Sequence, residues 1–206
     1  MRQLDDDRMV ERVLRWAMIE RGTADLSDQL GAQVIAPSPP THFSPEAVAV
    51  AGKVALFRRQ RATGGGRPAS SFEVLRGSVT PGSVVLVHCE PGVGAGFGSN
   101  TLLEAATCRA QAMVTDGPRR DTSRSHAIGI PVGSNGSVPT RPSGCPMTVS
   151  ESEEMFGLAW RNGDWFLCDA DGVLRLDESV ARQTASEIAA TASGELAALL
   201  EPRSAK

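Results

Sequence analysis

Residues 83–88, SVVLVH, form an unbroken apolar and β-branched run directly after the turn pair Pro81-Gly82. A run of this kind suits a strand covered on both faces, because a strand with one wet face alternates apolar and polar side chains. Four alternating glycines follow, Gly92, Gly94, Gly96 and Gly98, and then residues 101–112, whose Leu102, Leu103, Ala105 and Ala106 suit a helix. Met113-Val114-Thr115 reads as a second strand that ends at Asp116-Gly117. Strand, glycine-rich loop, helix and strand in this order describe a right-handed crossover unit, so the chain is expected to be α/β.

The flanks add helices and short strands. Residues 5–20 place Met9, Val13, Trp16, Ala17 and Ile19 at helical spacing among charged residues, an amphipathic helix stopped by Arg21-Gly22. Thr23 or Asp25 can cap a second short helix through Leu26 and Leu30 that Gly31 terminates. After a proline-rich loop, 37–45, the apolar run 47–57 reads as a buried strand interrupted by Gly52. Residues 58–71, RRQRATGGGRPASS, read as a mobile loop. They lack the Lys-Ser/Thr pair and the following helix signal of a phosphate-binding loop. Further strands are expected at 127–132, 157–160, 165–167 and 173–176, with Asn162-Gly163 and Asp171-Gly172 as hairpin-type turns. Residues 178–200, with Val180, Ile188, Ala192, Leu196 and Leu199, form the last helix. The strands after residue 127 have no long helices between them, which makes the sheet mixed, with helices packed around it.

Composition narrows the function. A chain of 206 residues, 41% hydrophobic and 22% charged, buries one full core. A net charge of −3 supplies no long-range pull on phosphates, and 4% aromatic residues supply no platform for stacking bases, so no nucleic-acid partner is expected. No run approaches the roughly 20 apolar residues of a membrane span. The charged N-terminus does not read as a leader, so a cytoplasmic protein is expected. Cys89, Cys108, Cys145 and Cys168 lack C-x-x-C spacing and read as reduced structural thiols.

Chemistry concentrates at Asp116-Gly117-Pro118-Arg119-Arg120-Asp121, at the end of an expected parallel strand. Ligands in such sheets bind at strand ends and helix N-termini. The backbone N–H groups of Gly98, Ser99, Asn100 and Thr101 open a helix and have no internal acceptors, so they suit an anion. Arg120 adds a planar two-point clamp for a carboxylate, and Asp121 a hard oxygen ligand for Mg²⁺ or Mn²⁺. A surface Arg-Asp pair closing a turn is the alternative reading.

Thr23-Ala24-Asp25-Leu26-Ser27-Asp28-Gln29-Leu30-Gly31 resembles the early segment of the RraA-like family. That family includes the 4-hydroxy-4-methyl-2-oxoglutarate aldolases and the regulator of ribonuclease activity A. In the family's order follow Gly52-Lys53-Val54-Ala55, Pro81 to Val87, the Gly98 helix start, Asp116 to Asp121, Gly129-Ile130-Pro131-Val132 and Gly163-Asp164 through Val173. The resemblance spans residues 23–176. It implies an α/β/α layered, swivelling-type domain at 23–176, with an N-terminal helix at 1–22 and a C-terminal helix at 177–206. It also implies a homotrimer or hexamer with active sites between subunits.

By the same resemblance, Gly98, Ser99, Asn100 and Thr101 bind a 2-oxo acid, Arg120 binds substrate, and Asp121 binds Mg²⁺ or Mn²⁺. The implied reaction is retro-aldol cleavage or decarboxylation of a 2-oxo dicarboxylic or tricarboxylic acid through a pyruvate enolate. The alternative is a non-catalytic regulator that binds a protein such as a ribonuclease, in which the counterpart of Asp121 is not a carboxylate. The chain departs from the family pattern at Ser99, where an acid is common, and at His88-Cys89, which replaces an Asp-Gly pair. No neighbour-donated acid is evident; Glu195 and Glu201 are candidates.

Other residues admit two readings. His126 is a proton shuttle or an exposed loop side chain, and His88 a ligand or a satisfied rim histidine. Asp164, Asp169 and Asp171 are metal ligands or turn residues. Arg141 meets a distal substrate carboxylate or stays solvated.

Overall fold

In a computed structural model, residues 6–31, 34–44, 49–62 and 69–191 are described. The chain begins with α1 (Asp7–Glu20), capped by the Asp6 side chain accepting from the Arg8 amide at 3.0 Å. Val10, Val13, Leu14, Ala17 and Met18 make its buried stripe. Helix α2 (Gly22–Leu30) starts one residue before the expected cap. Thr23 instead lies inside the helix and donates its amide and hydroxyl to Asp169 at 2.7 and 2.6 Å. Gly31, at φ 90°, ends α2 as expected.

Then follow β1 (His42–Ser44) and the ten-residue β2 (Val50–Arg59). Strand β2 takes in Arg58 and Arg59, which the sequence placed in a loop, because β6 (Met147–Val149) pairs with its far end. Ser70 and Ser71, placed in the same loop, belong to a helix start. A reciprocal Ser70/Glu73 capping box opens α3 (Ser71–Ser78). Residues 63–68, with Gly64 to Gly66, lie outside the described residues.

The expected crossover follows as β3 (Val84–Cys89), α4 (Ser99–Thr107) and β4 (Ala112–Thr115). Helix α4 stops short of residue 112 because Arg109 turns into the left-handed region at φ 61°. Residues 127–132 do not form the expected strand. After α5 (Thr122–Ser125), His126–Ile128 is a 3₁₀ turn, Gly129 sits at φ 83°, and Pro131 has no N–H for a ladder. Only β5 (Val132–Ser134) pairs.

The remaining strands are β7 (Ser152–Met155), β8 (Leu158–Arg161), β9 (Trp165–Cys168) and β10 (Val173–Leu176), before α6 (Glu178–Thr191). Leu196, Leu199, Glu195 and Glu201 lie outside the described residues. The β7–β8 hairpin turns through Phe156 and Gly157, both at positive φ. Asn162-Gly163 is a turn but not a hairpin: it carries the chain from this ribbon to the main sheet, where β9 pairs with β2. Asp171-Gly172 does lie in the β9–β10 hairpin.

The main sheet runs β1-β5-β4-β3-β2-β9-β10, with β6 also on β2. Strands β2, β3, β4 and β5 are mutually parallel; the other pairings are antiparallel. The expected mixed sheet with flanking helices is thus present. Along β2, Val50, Val54 and Leu56 join Trp160 and Phe166 in a core inside the curl of the sheet. Ala51 packs with α1 and α6, and Ala55 and Phe57 with Leu75 of α3 and Leu102 of α4. Two helical groups therefore flank the sheet, and the carboxyl ends of β2, β3 and β4 meet beside α4.

Candidate active site

Gly98 is the residue on which the site turns. It caps α4 in extended conformation, and a Cβ there would lie 2.7 Å from Asp121 Oδ2 and 3.0 Å from Cγ and Nε of Arg120. Only glycine lets the helix start approach the Arg120-Asp121 pair this closely. Asp121 itself stands in the left-handed region, φ 57° and ψ 38°, a conformation that aspartate tolerates better than most residues. Its carbonyl is held by the Arg124 and Ser125 amides at 3.0 and 3.1 Å.

The Asp121 carboxylate accepts from the Ser99 amide at 3.3 Å, the Ser99 hydroxyl at 3.3 Å and Arg120 Nε at 3.2 Å, all at Oδ2. Desolvation alone would raise its pKa, but the Ser99 and Arg120 donors outweigh it and hold the carboxyl below its usual range. Asp121 is therefore ionised at neutral pH. Its Oδ1 takes no hydrogen bond among the described residues.

These groups line a cleft of about 610 Å³ that includes Gly98, Asn100, Thr101, Arg120 and Asp121. Ser99 is buried and its amide serves Asp121, which leaves the Asn100 and Thr101 amides without acceptors among the described residues. Arg141, expected either to meet a distal carboxylate or to stay solvated, also lines this cleft.

Arg59 is the residue that sequence reasoning missed. It is 4% exposed, and its guanidinium donates to the Gly96 carbonyl at 2.6 Å, the Cys145 carbonyl at 2.7 Å and Ser71 Oγ at 3.1 Å. It ties β2, the glycine-rich loop and the start of α3 together under the cleft. The available signal was register: Arg59 continues the alternation of Ala55 and Phe57.

The two site-like histidines separate. His88 Nδ1 lies 2.6 Å from Asp116 Oδ2, and the Cys89 amide donates to Asp116 Oδ1 at 2.8 Å, clamping the ends of β3 and β4. His88 is thus a satisfied rim histidine. His126 is exposed and lines a different cleft. Two of the three aspartates are structural: Asp164 takes Arg161 N at 2.8 Å and Arg175 Nε at 2.7 Å, and Asp169 holds Thr23, while the exposed Asp171 donates its amide to Asp169 Oδ1 at 2.9 Å. All four cysteines are free, and burial pushes Cys89 up to about 11 and Cys168 up to about 12, so neither is a thiolate nucleophile.

Among the described residues, no three His, Cys, Asp or Glu side chains converge on a point that could hold an ion. The cleft offers instead one ionised carboxylate with one free oxygen. That donor set fits Mg²⁺ or Mn²⁺, which keep several waters and take few protein ligands when substrate supplies the rest.

The fold is a mixed α/β sheet, with an arginine-lined cleft over a helix N-terminus at the carboxyl ends of parallel strands, an arrangement whose chemistry suits an anion. The chain belongs to the RraA-like family: the Aldolase/RraA family model matches residues 23–175. No curated protein matches the sequence closely enough to count as a relative. Among solved structures, the chain is similar to Streptomyces coelicolor RraAS2, an unusual member of the RNase ES inhibitor RraA protein family. The TM-score is 0.72 and the identity 20%, over 95% of this chain and 98% of that one. The RNA-processing inhibitor RraA from Thermus thermophilus aligns with TM-score 0.56 and 22% identity, over 76% and 92%. A structure named as an S-adenosylmethionine:2-dimethylmenaquinone methyltransferase from Geobacillus kaustophilus aligns with TM-score 0.59 and 21% identity, over 75% and 94%. At these identities the likeness is one of fold. The family holds both metal-dependent aldolases and decarboxylases and non-catalytic ribonuclease inhibitors.

Proposed function

We propose that the chain is a divalent-metal-dependent lyase that cleaves a 2-oxo dicarboxylic or tricarboxylic acid, by retro-aldol reaction or decarboxylation, through a pyruvate enolate. The observation that carries this reading is Asp121: an ionised carboxylate with a free oxygen, set beside Arg120 at the helix start. A regulator that only docks a protein has no need of such a group.

In this reading the Asn100 and Thr101 amides bind the carboxylate next to the oxo group. Arg120 donates to the oxo oxygen and stabilises the negative charge that develops there. Asp121 Oδ1 holds Mg²⁺ or Mn²⁺, which when bound supplies Lewis-acid polarisation of the oxo group. The bond between C3 and C4 breaks and its electron pair moves toward the oxo oxygen, giving pyruvate enolate. In the retro-aldol reaction a hydroxyl on C4 gives up its proton to solvent as C4 leaves as a second carbonyl compound; in decarboxylation the C4 carboxylate leaves as CO₂ and no such proton is lost. A proton then returns to C3. Arg141 meets the distal carboxylate of the substrate. A cytoplasmic homotrimer or hexamer accompanies this reading, and free, largely buried cysteines suit a reducing compartment.

The test is exchange of pyruvate methyl protons with D₂O, followed by NMR with Mg²⁺ and with chelator. Metal-dependent exchange that Asp121→Ala abolishes is expected. Exchange that persists in that variant removes the metal role from Asp121.

A second reading, a catalytically silent regulator, is supported by the likeness in fold to an unusual member of the RNase ES inhibitor RraA family and to an RNA-processing inhibitor RraA, over 95% and 76% of this chain. On that reading Mg²⁺ and a 2-oxo acid leave the melting temperature unchanged, since only a ligand of the native state raises it.

A further inference from the structure

Arg119 and Arg120 are neighbours in sequence that line different clefts. The Arg119 backbone is fixed on one side, where its amide donates to the Gly136 carbonyl at 3.0 Å and its carbonyl accepts from Val138 at 2.8 Å. The Arg120 amide is fixed on the other, to the Phe97 carbonyl at 3.1 Å. This short segment thus separates the candidate active site from a second cleft of about 860 Å³.

Arg119 is 5% exposed, and its Nε and Nη1 are buried with no hydrogen-bond partner. Among the described residues no carboxylate forms an ion pair with it, and burial lowers its pKa with no acid to oppose the shift. A buried cation without a counter-charge is unfavourable, so a fold that keeps one calls for an anion to complete it. The groups around it suit that role. Thr122 and Ser137 place hydroxyls 3.2 Å apart in the same cleft, and one of the two retains a hydrogen to donate outward. His42 and His126, both exposed, stand on its walls.

We infer that this second cleft is a binding site for a small-molecule carboxylate, seated on the Arg119 guanidinium. A guanidinium pairs strongly with a carboxylate through charge-assisted hydrogen bonds. The same cleft is lined by Asp169 and Asp171, which repel a doubly charged phosphate more than a singly charged carboxylate. They also favour a ligand whose far end donates hydrogen bonds.

Thermal melting at constant ionic strength in chloride, acetate and phosphate tests the site. Acetate is expected to raise the Tm of wild type, and phosphate to raise it less. Arg119→Met is expected to melt higher than wild type in chloride, having lost an unpaired buried charge, and to lose the second cleft's part of the acetate response, a part that Arg120→Met retains. Ser137→Ala is expected to weaken apparent acetate affinity several-fold, and carries the test should Arg119→Met not fold. The inference is overturned by an acetate response that Arg119→Met leaves undiminished, or by none in wild type. It also fails if phosphate matches acetate, or if acetate affinity is unchanged in Ser137→Ala. Loss of self-association in Arg119→Met by sedimentation overturns it too, because the carboxylate is then a second copy's.

Discussion

The amide and hydroxyl of Ser99 both donate to a single oxygen of Asp121, each at 3.3 Å, and leave the other oxygen without a hydrogen bond among the described residues. The first residue of α4 therefore helps to set both the charge and the orientation of this carboxylate. Removing the Ser99 hydroxyl while keeping its amide should raise the Asp121 pKa. A group with a depressed folded pKa gives stability present above its unfolded value and lost as pH falls through the folded value. Ser99→Ala should accordingly shift the acid limb of the pH profile for pyruvate exchange upward, which a rate series from pH 3 to 7 measures.

Gly98→Ala pushes a methyl group into the space held by Asp121 Oδ2 and Arg120. The pair must move apart, so exchange activity should fall at least about tenfold, in keeping with the cost of misplacing a reacting geometry by an ångström. Circular dichroism should remain that of the native protein. Unchanged activity would mean that the contact at the helix start is not needed.

His88 gives a pH dependence of opposite sign. Its hydrogen bond to Asp116 raises the pKa against the effect of burial, with Glu153 3.9 Å from Nε2 adding to the rise and Arg58 opposing it. The stability from this pair is fully present below the unfolded histidine pKa, about 6.5, and disappears as pH climbs through the raised folded value. The Tm difference between wild type and His88→Asn should be larger at pH 5.5 than at pH 9. An equal difference at both values would remove the charge from the pair.

Replacing Arg59 by Met leaves the Gly96 and Cys145 carbonyls without their donor. A buried acceptor left unsatisfied costs about 1–3 kcal/mol, so a loss near 3 kcal/mol in urea unfolding is expected. The variant should also bind 2-oxo acid more weakly, because the cleft floor is no longer tied to α3.

Leu14 lies outside the family match, yet it is fully buried against β9, β10 and α6. Leu14→Ala should cost about 3 kcal/mol, as for other fully buried leucines. A value under about 0.5 kcal/mol would make α1 an appendage.

What the sequence made legible was local and periodic. The β-branched run of β3, the amphipathic stripe of α1 and the glycine that opens α4 each report through their own neighbours in the chain. Arg59 was illegible because its three acceptors come from residues 71, 96 and 145, and no pattern near residue 59 announces them. The 127–132 segment failed for a related reason: its apolar residues suit a strand, but Gly129 and Pro131 deny it backbone conformation and donor. Gly98, Asn100, Thr101, Arg120 and Asp121 do converge on one cleft, while Ser99 turned out to face its own aspartate.

Strand β2 pairs along one edge with β9 near its start and β6 near its end. Both partners are made long after β2 emerges during synthesis, so that edge stays open while most of the chain is being completed. Closing it is a contact of high sequence separation, which slows folding and leaves an apolar strand exposed to other chains in the interval. The charged arginines at its far end, one of them later the floor of the cleft, guard the nascent edge before they serve the finished fold.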